Sequence, residues 1–208
     1  MLKSQDIVIL LKILSIMTPV KDNPNEFLSQ NKLATHLCMS VSEVNAGIKR
    51  LVLSRLLAPV SKNEKIIFLP VRAACEECLI SAVKYFFPVR LGEYTCGIAT
   101  GYAAPLFAKL IVGGNDPIPV WPSATGNKRG VALEPLYRSV PNSLVQYPDQ
   151  FFYELLVLVD AIRSGRARER NLAAKLLREK INVDPKSFKS NSKFENAGVR
   201  SKKIRKSE

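Results

Sequence analysis

The segment SQNKLATHLCMSVSEVNAGIKRL, residues 29–51, contains two short runs with the apolar spacing of an α-helix. In each run the apolar residues fall on one helix face: Leu33, Ala34 and Leu37, then Val44, Ile48 and Leu51. Only three residues, 38–40, separate the runs. The spacing therefore predicts two short amphipathic helices joined by a tight turn.

Capping residues mark where both helices begin. Ser29 is the candidate N-cap of the first helix, predicted over residues 28–37, and Ser40 precedes the second, predicted over residues 41–57. Glu43 stands three residues after Ser40, which makes a capping box. The small Ala34 lies where the two helices must approach closely. This arrangement is typical of a helix-turn-helix, whose second helix lies in the major groove of DNA.

The second helix has a polar face, and a basic hairpin follows it. The residues on that face are Ser42, Glu43, Asn45, Ala46, Lys49 and Arg50. Residues 60–69 read as a β-hairpin whose Lys62 and Lys65 would contact phosphates as a wing. The pattern predicts that reversing the charges of Lys49 and Arg50 abolishes DNA binding and leaves the fold intact.

The residues LATHLCMSVSEVNAGIKRL, 33–51, resemble a family pattern in unbroken register. It is the L-A-x-x-L-G-V-S-x-S-x-V-x-x-x-L-x-x-L pattern of bacterial winged helix-turn-helix transcription regulators, and the likeness covers residues 5–70. The resemblance implies that the recognition helix starts with the DNA contacts Ser40, Ser42 and Asn45. It also implies backbone contacts from Lys49 and Arg50, and contacts from Gln30 and Lys32 in the first helix, which braces the second. Ser29 is a further DNA-binding candidate.

Several residues depart from that pattern. Cys38 replaces the usual glycine of the turn, and Val41 and Ala46 replace polar base-reading residues. Gly47 in mid-helix costs up to ~1 kcal/mol relative to alanine, which close packing would explain. Apolar residues at 52–53 indicate that the end of this helix packs against something further. The alternative is therefore a winged-helix adaptor or scaffold that binds a protein partner and has little or only non-specific DNA affinity.

The charge of the chain favours an anionic partner. It has 31 Lys and Arg against 18 Asp and Glu, a net charge of +13, and the excess is spread along the chain. The apolar run at residues 7–17 is too short to span a bilayer and lacks a cleavage site, so we expect a cytoplasmic, nucleoid-associated protein. The simplest alternative is a soluble protein with a basic tail.

The four cysteines predict neither a metal site nor a cofactor. Cys75 and Cys78 form a C-x-x-C inside a helix predicted over residues 72–87, where both would pack in the core. Cys38, Cys96 and the one histidine, His36, are scattered. A zinc or redox site remains the alternative. No nucleophile, base or paired carboxylates suggest an enzyme.

Residues 89–183 read as an α+β module for sensing or dimerisation. We predict a helix near 102–111, then short strands at 118–121 and 130–133 joined by a turn over residues 123–128. Helices follow at 149–163 and 166–181. The first of these, containing FFYELLVLV, is apolar nearly all round and would complete the core or form a dimer interface. Four aromatic residues are candidates for either the core or a ligand pocket: Tyr94, Tyr102, Trp121 and Tyr137.

The expected fold is mainly α with small β elements. It consists of a winged helix-turn-helix over residues 1–88, the α-rich module over 89–183 and a disordered basic tail over 184–208. The expected function is DNA-binding transcription regulation by a homodimer, with a small-molecule or protein effector and no membrane contact. Repression is favoured over activation because occlusion of DNA demands less machinery.

Overall fold

The computed structural model describes residues 1–17, 29–62, 65–108, 110 and 117–182, and the side chains of Lys62 and Lys65 are not among the described parts. Residues 63–64 of the predicted hairpin and the predicted tail at 184–208 therefore lie outside the described residues. The described chain is mainly helical with small β elements, as the sequence predicts.

The N-terminal third contains three helices followed by a hairpin. They are α1 (Ser4–Ile16), α2 (Gln30–Leu37), α3 (Val41–Leu53), β1 (Leu57–Lys62) and β2 (Lys65–Pro70). The two strands pair antiparallel, with Leu57 opposite Pro70. Helix α1 is buried along nearly its whole length and packs against α2, α3 and β2. The order of helices and hairpin expected from the sequence is thus present.

Helix α3 ends four residues earlier than predicted. Arg55 adopts a left-handed backbone with φ 58°, and the Leu56 amide donates to the Leu51 carbonyl oxygen at 3.0 Å. Together with the bond from the Arg55 amide to the Val52 carbonyl, this is a Schellman motif, which terminates a helix. The boundary at residue 57 was wrong because an arginine occupies the position where glycine usually signals the stop.

The predicted helix over residues 72–87 is present in three continuous parts. They are α4 (Arg72–Glu77), a π-helical turn (Cys78–Ala82) and α5 (Val83–Phe86). The π-turn places one extra residue in the helix and shifts the faces on either side of it. Phe86, at the end of α5, is largely exposed.

Three strands form a closed arrangement in the middle of the chain: β3 (Leu91–Ala99), β4 (Pro119–Pro122) and β5 (Lys128–Leu133). Strand β3 pairs antiparallel with both others, whereas β4 and β5 pair parallel. The sequence predicted β4 and β5 but not β3. The exposed residues 91–94 give β3 no alternation of buried and exposed positions that would have marked it as a strand.

The helix predicted near 102–111 is not formed in the described residues. Two 3-10 turns, Gly101–Ala103 and Pro105–Phe107, take its place, and residues 109 and 111 lie outside the description. Gly101 has a positive φ of 54°, and Pro105 has no amide hydrogen to donate. Both features interrupt a continuous α-helix.

Three helices complete the described chain: α6 (Val140–Gln146), α7 (Gln150–Ser164) and α8 (Ala167–Ile181). The sequence predicted α7 and α8 but not the short α6. Helix α7 is buried without interruption from Leu155 to Ile162 and packs against α1, α5, α8 and the turn at 101–103. Of the two roles left open for this helix, the structure shows completion of the internal core.

One contiguous apolar core extends from α1 to α8. The core continues across the domain boundary predicted at residues 88–89, and the division into two domains there stays a prediction. None of the described helices combines the length and the apolar character needed to cross a bilayer.

Candidate nucleic-acid interface

The turn between α2 and α3 has the backbone geometry that a glycine would normally supply. Cys38 adopts φ 51° and ψ 44°, in the left-handed region. The Met39 amide donates to the Ala34 carbonyl oxygen at 3.0 Å and the Cys38 amide to that of Thr35 at 3.1 Å, a second Schellman motif. The left-handed region costs a non-glycine residue ~1–2 kcal/mol, so the turn is tight and strained at Cys38.

Both helices begin where the capping residues predicted. The Ser29 hydroxyl oxygen accepts from the Lys32 amide at 3.3 Å, and the Ser40 hydroxyl oxygen accepts from the Glu43 amide at 3.2 Å. Glu43 returns the contact, because its Oε2 accepts from the Ser40 amide at 2.8 Å. The capping box is therefore confirmed.

Gly47 packs closely against side chains of α1. A Cβ at this position would lie 2.4 Å from Ile9 Cδ1 and 3.1 Å from Asp6 Oδ1. The close packing expected from a glycine in mid-helix is confirmed. Of the two apolar residues at the end of α3, Val52 is partly buried against the core, whereas Leu53 is 80% exposed.

Arg50 faces α1. Its Nε and Nη2 donate to the two carboxylate oxygens of Asp6 at 2.7 and 2.6 Å, and Asp6 is fully buried. The side chain of Arg50 is only 21% exposed. Arg50 thus fastens the rear half of α3 to α1, a role that the sequence pattern did not indicate. This contact argues against the expectation that the charge of Arg50 can be reversed without damage to the fold, which stays a prediction.

Glu43 is held from a distant part of the chain. The Tyr137 hydroxyl donates to Glu43 Oε1, while Oε2 accepts from the amide and the hydroxyl of Ser40. The bond from Tyr137, followed by those from Ser40, lowers the pKa of Glu43 below its usual value. Glu43 is therefore an ionised anchor for the first turn of α3.

The remaining candidate residues differ in their contacts and in their exposure. Asn45 Nδ2 donates to Gln30 Oε1 at 2.8 Å, which joins α3 to α2. Ser40, Ser42 and Lys49 are exposed, whereas Ala46 and Lys32 are half-buried. The structure thus brings Ser42, Ala46 and Lys49 onto the outer side of α3, flanked by the exposed apolar residues Val41 and Leu53.

The hairpin follows α3 directly, as predicted. Ile66 near its tip is largely exposed. The side chains of the predicted wing residues Lys62 and Lys65 lie outside the described residues, although their backbones pair with each other.

Helix α6 and the residue after it cover one end of α2. The ring of Tyr147 stacks on that of His36 with centroids 4.8 Å apart, and the Ser143 hydroxyl donates to the His36 carbonyl oxygen at 2.6 Å. The Cys38 thiol donates to Gln146 Oε1 at 3.5 Å. The turn of the helix-turn-helix unit is therefore in direct contact with the C-terminal half of the chain, which no local pattern indicated.

The cysteines have separate surroundings. Cys75 is buried as predicted, its thiol donates to the Leu56 carbonyl oxygen at 3.3 Å, and burial raises its pKa to about 12. Cys78 is half-buried and Cys96 is exposed. Within the part of the chain that the structure describes, no group of three or more His, Cys, Asp or Glu side chains is placed to hold a metal ion.

The four aromatic candidates also have different surroundings. Trp121 is core, and its indole N–H donates to the buried Asp160 carboxylate at 2.7 Å. Tyr94 is largely exposed, and Tyr102 borders a small cavity of about 230 Å³ between the strands and α8. Tyr137 contacts Glu43 and borders a cavity of about 390 Å³ next to Arg138. Within the part of the chain that the structure describes, the four residues thus have separate surroundings.

Asp160 is a deeply buried acid, and its role is structural. It accepts from the Thr100 hydroxyl at 2.9 Å and pairs with Arg163 at 2.6 Å, in addition to its bond from Trp121. Arg163 also donates to the Phe87 carbonyl oxygen at 2.7 Å. This network joins α7 to β4 and to the end of α5.

No protein-family model, no curated protein and no solved structure matches this chain.

Proposed function

We propose that this protein is a DNA-binding transcription regulator that acts as a repressor. Helix α3 would lie in the major groove, and the β1–β2 hairpin would lie against the phosphate backbone as the wing of a winged helix-turn-helix. We further propose that the protein acts in the cytoplasm, at the nucleoid.

The single observation that carries the proposal is the geometry of the α2–turn–α3 unit. Cys38 adopts the left-handed conformation, which is unfavourable for a residue other than glycine, and capped helices lie on both sides of the turn. A hairpin follows α3 after three residues. This is the order and the turn geometry that helix-turn-helix proteins use to present a helix to a groove.

The contacts of α3 narrow the set of residues that can meet DNA. Arg50 is engaged by Asp6, Glu43 by Tyr137, and Asn45 by Gln30. We therefore propose Ser42, Ala46 and Lys49 as the groove-facing set, with Ser40 and Lys32 at its edge. Such a set offers few donors and acceptors for base edges, so phosphate contacts would supply most of the affinity.

The second candidate is a winged-helix adaptor that binds a protein. Val41 and Leu53, at the two ends of α3, are 44% and 80% exposed. Apolar side chains at both ends of an otherwise polar helix face are a feature of protein-contact surfaces. This observation favours the adaptor over an enzyme or a structural role.

The proposed regulator is a homodimer, since two half-sites multiply affinity and specificity. Helix α7 is already covered within the chain, so a dimer interface would need another surface. The groove lined by Leu2, Leu56, Cys78, Tyr85 and Phe86 has a volume of about 500 Å³ and is a candidate. A small-molecule or protein effector is part of the same proposal.

The experiment is a DNA-binding titration of the full chain by fluorescence anisotropy at several salt concentrations. The probes are the duplex upstream of its own gene and a random duplex of equal length. Lys49→Gln is the test variant, and Lys175→Gln, an exposed lysine on α8, is its matched control. Both variants lose one positive charge, so they differ only in where the charge was.

The regulator proposal expects binding to the upstream duplex that survives physiological salt and weakens in Lys49→Gln but not in Lys175→Gln. Equal, salt-sensitive binding of both duplexes by all three proteins would refute specific regulation. The adaptor would then be tested with Leu53→Ser. This change is expected to release a co-purifying protein while non-specific DNA affinity stays the same.

A further inference from the structure

The segment between β5 and α6 reaches the first turn of α3. Tyr137 and Arg138 belong to this segment, and Tyr137 lies 94 residues after Glu43, to which its hydroxyl donates. The Arg138 guanidinium carbon lies 5.8 Å from the centroid of the Tyr137 ring. Arg138 itself is exposed. An exposed arginine from the C-terminal half of the chain is thus placed beside the start of α3.

Glu43 creates an electrostatic problem that Arg138 offsets. A carboxylate at the first turn of a helix that enters the major groove would repel the flanking phosphates. Glu43 remains ionised, because hydrogen bonds from Tyr137 and Ser40, and in addition the positive charge of Arg138, lower its pKa. Its oxygens are turned toward these partners, and the neighbouring exposed charge is the cation of Arg138.

We propose that Arg138 contacts a DNA phosphate beside the first turn of α3 and that Tyr137 is the residue that positions this contact. The inference rests on the proposed DNA-binding function and extends the interface beyond the helix-turn-helix and wing. The ligand is the phosphodiester backbone of duplex DNA, which Arg138 would contact whatever the base sequence.

Two features support a role for arginine at this position. The guanidinium has a planar set of five N–H donors that matches the geometry of phosphate oxygens, so it can keep its contact with Tyr137 and still donate outward. The backbone amides of Ser40 and Glu43, at the start of α3, already donate to side chains of the capping box. They are therefore less available to bind a phosphate. At the first turn of α3, Arg138 from the neighbouring segment would therefore supply the positive charge.

The test compares Arg138→Gln with Arg168→Gln, both in the full chain. Arg168 is an exposed arginine near the start of α8, a helix that packs on α7 and α4. Binding of a random duplex is measured over a range of salt concentrations, and the slope of log K against log salt is compared with that of the wild type. Loss of one phosphate contact lowers the magnitude of this slope by about 0.9.

We expect the lower slope for Arg138→Gln, the wild-type slope for Arg168→Gln, and a near wild-type slope for Arg138→Lys, which keeps the charge. The same loss is expected for a random duplex and for the upstream duplex, because phosphates carry no sequence information. Equal slopes for Arg138→Gln and Arg168→Gln would overturn the inference.

The outcome for Lys49→Gln separates this inference from the proposed function. If Lys49→Gln weakens binding and Arg138→Gln does not, the first turn of α3 has no Arg138 contact and the regulator proposal stands. If the wild type binds neither duplex, both proposals fail. Tyr137→Phe is a second test variant. Since Tyr137 only positions Arg138, this substitution should lower the affinity for DNA less than Arg138→Gln does, and it leaves the charge of the protein unchanged.

Discussion

Replacing Arg50 by methionine should destabilise the protein far more than the same change at Lys49 next to it. Methionine keeps most of the aliphatic length of the side chain and removes every donor. Arg50 donates two hydrogen bonds to Asp6, which is fully buried, whereas Lys49 is exposed. The two variants remove one positive charge each, so the difference between them reports the contact with Asp6.

The magnitude follows from the burial of the two partners. Removal of one partner from a buried ion pair costs about 3–5 kcal/mol, because the other charge stays buried without compensation. Arg50 is 21% exposed, and Asp6 keeps a hydrogen bond from the Lys3 amide at 2.8 Å. Both facts place Arg50→Met at the lower end, about 3 kcal/mol, a large part of a typical stability of roughly 5–15 kcal/mol. Lys49→Met should stay within about 0.5 kcal/mol.

The assay is urea denaturation followed by circular dichroism for the wild type, Arg50→Met, Lys49→Met, Asp6→Asn and the double variant Asp6→Asn/Arg50→Met. The free energy of unfolding of the double variant should fall by less than the sum of the two single losses, because the neutral asparagine side chain no longer needs a cation. We expect a coupling of about 1–2 kcal/mol. Additive losses, or equal costs at residues 49 and 50, would refute the assignment of Arg50 to the fold.

Three further predictions concern other parts of the molecule. Gly97→Ala would bring a Cβ to 2.0 Å from a backbone carbonyl oxygen of β4, and it should lower the free energy of unfolding by about 3 kcal/mol or more in thermal or urea unfolding. Tyr137→Phe should cost more stability at pH 7 than at pH 3. Because the hydrogen bond from Tyr137 lowers the pKa of Glu43, the stability that Glu43 contributes is present above the ordinary carboxyl pKa and is lost as the pH falls through its pKa in the folded protein. An equal loss of unfolding free energy at both pH values in urea titrations would contradict this prediction. A thiol reagent at pH 8 should label the exposed Cys96 quickly. It should label Cys75 only after unfolding, because Cys75 is buried and its pKa is raised to about 12. Rapid labelling of Cys75 in the native protein, measured by mass spectrometry, would be inconsistent with its burial.

Features set by neighbouring residues could be predicted from the sequence. Ser29 and Ser40 cap the helices that follow them, and Glu43 completes the capping box. The apolar run in α7 is buried without interruption from Leu155 onward. Each of these depends on side chains within about four residues of one another, where helical spacing and capping are decided.

Features set by distant residues could not be predicted in this way. The pattern that predicted β4 and β5 did not reveal that they pair parallel with each other, because strand pairing depends on contacts between distant segments, such as the close backbone approaches at Gly97 and Gly130. Likewise the end of α3 depends on a left-handed Arg55, a residue type that carries no stop signal.

By itself, the sequence determined a capped helix-turn-helix unit, the hairpin after it and the apolar helices of the core. The tertiary structure alone decided which polar residues of that unit remain available. Arg50 is paired with Asp6 across 44 residues, and Glu43 with Tyr137 across 94. A periodic pattern identifies the outer face of an isolated helix, but the side chains on that face acquire partners only when other segments dock against it. The same docking placed Arg138, which no local pattern indicated, beside the start of α3.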